Sequence, residues 1–356
     1  MLDLDNTLWG GVIGDDGPDK IRIGKETAEA EAYTAFQEYC LRLRARGVLL
    51  AVCSKNTDAV ARQGLLHPDS VLKIEHFASF KANWHPKPEN VVAIAGELNI
   101  GLDALVFVDD NPAERAIVAG RLPPVAVPDI GSDVTAFVGI IEKQRYFEPL
   151  ALSAEDLARS SQYAANAQRR DSESRFADYG EYLEYLQMQA EIEPFQPVYV
   201  DRIAQLTNKT NQFNLTTKRY TVADIERIAR DSGFVHLYGK LADIFGDNGL
   251  VSVIIGRVQG DELHIETWLM SCRVLKREME LAMLDALVAA ARDKGVSVVV
   301  GSYLRTEKNG MVADHYGKLG FECAYRAEDG SRSDWRLDLN GGYLPKNTHI
   351  KDTVHA

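Results

Sequence analysis

The stretch Met1-Leu2-Asp3-Leu4-Asp5-Asn6-Thr7-Leu8-Trp9-Gly10 decides how the rest of the 356-residue chain is read. Successive side chains of a strand point to opposite faces, so Leu2 and Leu4 share one side while Asp3 and Asp5 share the other. In parallel α/β sheets, reactive groups collect just beyond the carboxyl ends of the strands. Two carboxylates there suit Mg²⁺, a hard cation that takes oxygen ligands. Asp-x-Asp-x-Thr also lets one Asp attack phosphorus while the other gives a proton to the leaving oxygen and later activates water. An Asp-rich turn is the plain alternative, and the partners further along the chain decide between the two.

Residues 9–23 carry Gly10, Gly11, Gly14, Gly17 and Pro18 and predict a short glycine-rich flap beside the site. Tyr33, Phe36, Cys40 and Leu43 recur at helical spacing up to Gly47, which predicts an amphipathic helix with a glycine stop. Residues 48–53 (Val-Leu-Leu-Ala-Val-Cys) form a continuous apolar run, as in a strand buried on both faces. That strand delivers Ser54, Lys55 and Asn56 to the same edge as Asp3, where a hydroxyl and backbone N–H groups can hold a phosphoryl oxygen. Residues 80–84 predict another short strand. Lys87 follows in Pro86-Lys87-Pro88-Glu89-Asn90, at the first turn of a helix running to Leu98 and closed by Gly101. The apolar run 104–108 then ends in Asp109-Asp110-Asn111-Pro112. Adjacent acids at the end of such a strand need compensating charge, which a metal and Lys87 would supply.

The order Asp-x-Asp-x-Thr, strand-Ser, Lys before a helix, strand-Asp-Asp resembles the haloacid dehalogenase (HAD) superfamily over residues 1 to about 140. The resemblance implies a doubly wound parallel sheet. It also implies Asp3 as nucleophile and metal ligand, and Asp5 as acid/base that coordinates through its backbone carbonyl. Thr7 would support the loop, Ser54 would bind phosphate, Lys87 would stabilise the phosphoaspartate, Asp110 would complete the Mg²⁺ site, and Asp109 would pair with Lys87. The segments Asp-Leu-Asp-Asn-Thr-Leu-Trp-Gly-Gly, Val-Cys-Ser-Lys-Asn, Asn-Trp-His-Pro-Lys-Pro-Glu-Asn and Phe-Val-Asp-Asp-Asn-Pro-Ala-Glu-Arg are similar to the FkbH-like subgroup. Membership there implies use of 1,3-bisphosphoglycerate, removal of phosphate, and loading of glyceryl onto an acyl carrier protein thiol for polyketide-type biosynthesis. A simple phosphatase acting on a small or carrier-bound phosphate ester, and a silent carrier-docking module, are the alternatives.

Residues 141–189 are polar and helix-compatible and predict a connector, on which Arg169, Arg170 and Arg175 belong to a solvated helix face or touch an acidic partner. A second domain follows over 190–340, with 341–356 as a tail. Helices at 200–206 and 222–231 flank a polar loop at 208–216. Strands at 236–241, 250–258 and 263–270 precede a helix at 275–294, a strand at 296–300 and a helix at 311–319. This order, closing on Tyr316-Gly-Lys-Leu-Gly-Phe321, resembles the acyl-CoA N-acetyltransferase (GNAT) fold. The resemblance implies an α+β domain that holds a pantetheine arm beside its central strand and a phosphate at the following helix N-terminus.

In this chain Ser271-Cys272-Arg273-Val274-Leu275-Lys276-Arg277 occupies that point, with Lys276, Arg277 and Glu278 where glycines are usual. Arg273, Lys276 and Arg277 suit a carrier's phosphopantetheine phosphate and an acidic partner surface. If an acyl thioester forms on the enzyme, Cys53 beside Ser54 and Cys272 beside Arg273 and Lys276 are the thiols placed for it. Direct transfer to the carrier thiol is the other route. Tyr316 and Asn309 stand where the acetyltransferase fold often works on substrate.

Composition bounds these readings. Hydrophobic residues at 46% and charged residues at 26% are those of a globular protein. A net charge of -12 argues against general nucleic-acid or anionic-membrane binding. No apolar run approaches the roughly 20 residues needed to span a bilayer, and no signal peptide precedes the first strand, so a cytoplasmic location is expected. Four scattered cysteines make no disulfide scaffold and no Cys-x-x-Cys metal site.

Overall fold

The computed structural model describes residues 1–148 and 162–354 apart from 164, 167, 170, 171 and 174. The chain divides into two compact units, Met1–Asp171 and Ser172–Ala356.

In the first unit, β1 (Leu50–Ser54) pairs in parallel with β2 (Phe77–Ala82). Leu2 bridges in parallel to Val52 on one side and Val108 on the other, and Val106 bridges to Ala126. The rows therefore run 77–82, 50–54, 1–3, 106–108, 126, all in one direction. Alternation along the rows separates two cores. Leu2, Val52 and Val108 face one of them, packed by Tyr33, Phe36, Cys40 and Leu43 of the helix Ala28–Ala45 and by Phe137 of the helix Val134–Lys143. Ala51, Cys53 and Phe107 face the other, packed by Val91, Ile94 and Leu98 of the helix Lys87–Leu98 and by Val118 of the helix Pro112–Arg121. Helices on both faces of a parallel sheet are the doubly wound arrangement expected of a HAD-like domain.

Local chemistry sets the element ends. Thr27 caps the helix Ala28–Ala45 by accepting from Ala30 N, and Gly47, at φ 86°, turns the chain back into β1. Asn99, left-handed at φ 52°, stops the helix Lys87–Leu98 two residues before the expected Gly101. Residues 10–22 do fold as a flap, a loop with one helical turn (Ile13–Asp16) closed by paired backbone bonds between Gly10 and Arg22.

The second unit holds an eight-stranded sheet. Its strands are β3 (Gln189–Glu193), β4 (Phe234–Asp243), β5 (Gly246–Gln259), β6 (Glu262–Met270), β7 (Val298–Leu304), β8 (Glu322–Arg326), β9 (Arg332–Asp338) and β10 (Lys351–Asp352). They run in the order β10-β3-β4-β5-β6-β7-β9-β8, mostly antiparallel, with β10 parallel to β3 and β6 parallel to β7. The helix Met279–Asp293 covers one face through Met279, Met283, Leu284 and Leu287. The helices Val200–Lys209 and Val222–Arg230 cover the other through Ile203, Leu206, Ile225 and Ile228. This is the GNAT-like α+β class.

Three sequence expectations change. The expected tail is built in over its described residues, 341–354: Lys351 and Asp352 pair with β3, and Asp285 accepts from Tyr343 Oη and from the backbone N–H groups of Lys346 and Asn347. The connector over 141–189 is shared out, with Lys143 ending a helix of the first unit and the helix Tyr179–Tyr185 leading into β3 in the second. Arg169 is buried and donates to Asn166, while Arg170 and residues 149–161 lie outside the described residues. The loop at 208–216 is polar only in part, since Phe213 and Leu215 are core residues. Its apolar pair was hidden among Asn and Thr.

Candidate active site

The carboxyl ends of the first unit's strands bring together most of the residues expected there. Asp3 follows the bridged Leu2, Ser54 closes β1, Asp109 and Asp110 follow Val108, and Lys87 starts the helix from its first turn. Asp3, Ser54, Lys87 and Asp109 are all buried. Lys87 Nζ donates to Asp109 Oδ2 and lies 3.1 Å from Asp3 Oδ1. Burial alone would lower the Lys87 pKa, but Asp3 and Asp109 outweigh it and hold the ammonium above the ordinary lysine value. Burial, then Asp3, pushes Asp109 upward while Lys87 pulls it back. Burial and Asp3 likewise raise Asp110.

Thr7 ties the two ends of the site together. Its hydroxyl donates to Asp110 Oδ1 and accepts from Asp110 N, both at 3.2 Å. Sequence reasoning missed Arg115, although it stands within the quoted Asp-Asp-Asn-Pro-Ala-Glu-Arg run. Its guanidinium donates to the carbonyls of Asp109 and Asp110 at 2.9 and 2.6 Å and pairs with Asp129, clamping the acidic turn.

One carboxylate oxygen each from Asp3, Asp109 and Asp110 lies within 4.8 Å of the other two. Hard oxygen donors at this spacing fit Mg²⁺. Asp3 Oδ1 is fully buried and makes no oriented hydrogen bond; its contact with Lys87 is one of distance only. Two buried acids, Asp3 and Asp109, and the half-buried Asp110 against one buried ammonium leave negative charge that a divalent cation would balance.

The resemblance gives Asp5 its metal contact through the backbone carbonyl, which leaves the carboxylate of Asp5 free for other partners. Its Oδ1 accepts from Trp9 Nε1 at 2.9 Å and Ile13 N at 3.0 Å, and its Oδ2 from Asn56 Nδ2 at 3.0 Å, so the side chain is held by the flap and by the β1 loop. Burial raises its pKa against those bonds. Asn56 thus steadies Asp5, and Lys55 Nζ pairs with Glu114 Oε1 at 2.6 Å instead of standing open to phosphate. Neither Trp9 nor Glu114 was assigned a role from the sequence.

Neither candidate thiol is activated. Cys53 is fully buried in the core on the face of the helix Lys87–Leu98, its Sγ 3.8 Å from Lys87 O, and burial pushes it up to about 12. Strand alternation explains this, since Cys53 and Ser54 point to opposite sides. Cys272 opens a 3₁₀ turn after β6, and burial raises its pKa despite Arg273. Of the three residues expected to meet a carrier, Arg277 is buried and paired with Asp243 at 3.0 Å. Arg273 donates to Ser271 Oγ, and Lys276 is exposed.

Among the described residues, no helix is long and apolar enough to cross a membrane. No protein-family profile matches the chain, and no curated protein matches it. Solved structures do. The N-terminal part of a Bacteroides fragilis protein, containing a phosphatase domain and complexed with Mg, is 42% identical over 42% of this chain and 40% of its own, at a TM-score of 0.42. The ribosomal-protein-S18-alanine N-acetyltransferase of Escherichia coli is 14% identical over 45% of this chain and 99% of its own, at 0.33. Ard1 of Thermoplasma volcanium is 18% identical over 42% and 97%, also at 0.33. At TM-scores below 0.5 these are likenesses only, and the chemistry of the site follows from its own geometry.

Proposed function

We propose that the first unit is an Mg²⁺-dependent phosphotransferase working through Asp3, and that the chain loads glyceryl from 1,3-bisphosphoglycerate onto an acyl carrier protein. The observation that carries the phosphoryl chemistry is the Asp3, Lys87, Asp109, Asp110 assembly at the ends of parallel strands. Asp3 attacks phosphorus, forming an O–P bond as the bond to the leaving oxygen breaks. Asp5, poised by Trp9, Ile13 and Asn56, gives that oxygen its proton. Asp5 then takes a proton from water as the water attacks phosphorus and frees Asp3. Lys87 neutralises charge gathering on the phosphoryl oxygens. Bound Mg²⁺, held by Asp3, Asp110 and Asp109, would supply electrostatic stabilisation of the same oxygens.

In the loading step the carrier's pantetheine thiol attacks the acyl carbon, the C–O bond to the 1-phosphate breaks, and phosphate leaves with the thiol proton. The 3-phosphate ester is the bond cut through Asp3. Two thiols held upward by burial favour direct transfer to the carrier over a thioester on Cys53 or Cys272. Intact-protein mass spectrometry of enzyme, Mg²⁺, holo carrier and freshly generated 1,3-bisphosphoglycerate tests this. A glyceryl adduct on the carrier, absent with Asp3→Asn, is the expected result. Free phosphate without any carrier adduct would leave a simple phosphatase.

A further inference from the structure

The sheet of the second unit has a break in its middle. Residues Glu262–Ile265 of β6 pair with Val298–Gly301 of β7, and there the pairing ends, although β6 continues to Met270 and β7 to Leu304. The cause is a bulge. Against β5, Ile255 faces Thr267 but Gly256 faces Ile265, which leaves Glu266 as an extra residue that bends β6 away. The resemblance to the acyl-CoA N-acetyltransferase fold implies a pantetheine arm beside this central strand, and the gap is the room such an arm would need. We infer that the second unit takes no coenzyme A, because its own segment Phe213–Thr216 fills this cleft and its phosphate turn is closed.

The filling segment is bonded to both walls. Leu215 N donates to Trp268 O at 3.1 Å and Met270 N donates to Phe213 O at 3.0 Å, so the main-chain groups of β6 that would receive a ligand are taken. On the other wall Leu304 N donates to Leu215 O at 2.8 Å. Thr216 Oγ1 donates to Glu266 O at the bulge itself. Asn309, fully buried, bolts the segment from below by donating to Asn214 O at 2.9 Å and Leu304 O at 2.8 Å. Asn214 and Leu215 are fully buried, and Phe213 nearly so. The strap makes one antiparallel bridge, Asn214 to Leu269, buries two apolar side chains and satisfies backbone groups on both sides, which ties it into the core. Tyr316 lies wholly within this core, over Gly301, and reaches no surface.

The phosphate turn is closed independently. Lys276 and Glu278 adopt left-handed conformations, φ 65° and 60°, where glycine would leave room for an anion. Tyr179 Oη donates to Lys276 O at 2.7 Å. Glu278, at the N-cap of the helix Met279–Asp293, sets a carboxylate where phosphate charge would fall, 2.7 Å from His349 Nδ1. Arg277 turns inward to Asp243.

The test is titration calorimetry of the full chain with coenzyme A and acetyl-coenzyme A, beside an acetyltransferase that binds both. No saturable binding up to about 1 mM ligand is expected. Hydrogen exchange read at Leu215, Met270 and Leu304 should find these amides protected and unchanged by the ligand, which also reports that the unit is folded. Saturable binding, or loss of that protection when ligand is added, overturns the inference. Asp3→Asn should behave identically, so the outcome is independent of the phosphoryl chemistry.

Discussion

In the first unit, Asp3, Lys87, Asp109 and Asp110 converge at the end of a parallel sheet, tied to one another and to Thr7 and Arg115. In the second, the rings of Trp268, His315 and Tyr316 crowd within 4.8–6.2 Å of one another. Their Trp268 Nε1, His315 Nε2 and Tyr316 Oη are buried without a hydrogen-bond partner. Both clusters sink polar atoms into a core; the first connects them through hydrogen bonds and ion pairs, with Asp3 Oδ1 reached only by the Lys87 charge at 3.1 Å, and the second leaves its three without a partner. A connected set of charges is costly to break and useful to a substrate. An unconnected set of neutral groups carries only a desolvation cost. Burial of polar residues therefore comes with charge pairing in one unit and without it in the other.

The largest effect should come from Asp3→Asn, which removes the attacking oxygen. Phosphate release is expected to fall by about a thousandfold or more while the fold persists. Retained release by a folded variant would move the chemistry elsewhere. Next comes Lys87→Ala, which strands Asp3 and Asp109 as buried, unpaired carboxylates. Unfolding in urea should register a loss of about 3–5 kcal/mol, most of it recovered by adding Mg²⁺. A loss below about 1 kcal/mol would mean that the first cluster is no more connected than the second.

His315 sharpens the contrast through pH. Burial, then Lys318, lowers its imidazole from 6.5 to about 3, so between those values the unfolded chain binds the extra proton. The stability this gives is complete above pH 6.5 and drains away as pH falls, by up to about 1.4 kcal/mol per pH unit. His315→Phe should flatten that part of the profile measured at pH 7 and pH 5; parallel profiles for the two proteins would refute the assignment. The smallest effect belongs to Tyr316→Phe. With no partner to lose, its hydroxyl can go with no loss, or with a gain of up to about 1 kcal/mol. A larger loss would reveal a partner for that hydroxyl.

Legibility in the sequence followed the range of the interactions. Asp3, Ser54, Lys87 and Asp110 could be placed because strand ends and helix starts are local, and parallel topology delivers them to one edge. Asp5 could be named but not oriented, since its carboxylate is directed by Trp9, Ile13 and Asn56 from two separate loops. The two thiols could be found but not their burial, which depends on which face Cys53 takes in an almost continuous apolar run. The strap at 213–216 escaped because its pattern, two apolar residues among Asn and Thr, is that of an ordinary loop. It joins the sheet, through the bridge from Asn214 to Leu269, only because the bulge at Glu266 opens a gap for it.

The pairing of β10 with β3 has a consequence in time. The first unit's sheet joins rows that lie between Leu2 and Ala126, so it can close early during synthesis. β3 is among the first strands of the second unit to emerge, yet its outer partner is Lys351–Asp352. Until those residues leave the ribosome, the edge of β3 stands bare, a template for unwanted strand pairing. Glu191 and Glu193 on that strand are fitting sentries for the wait.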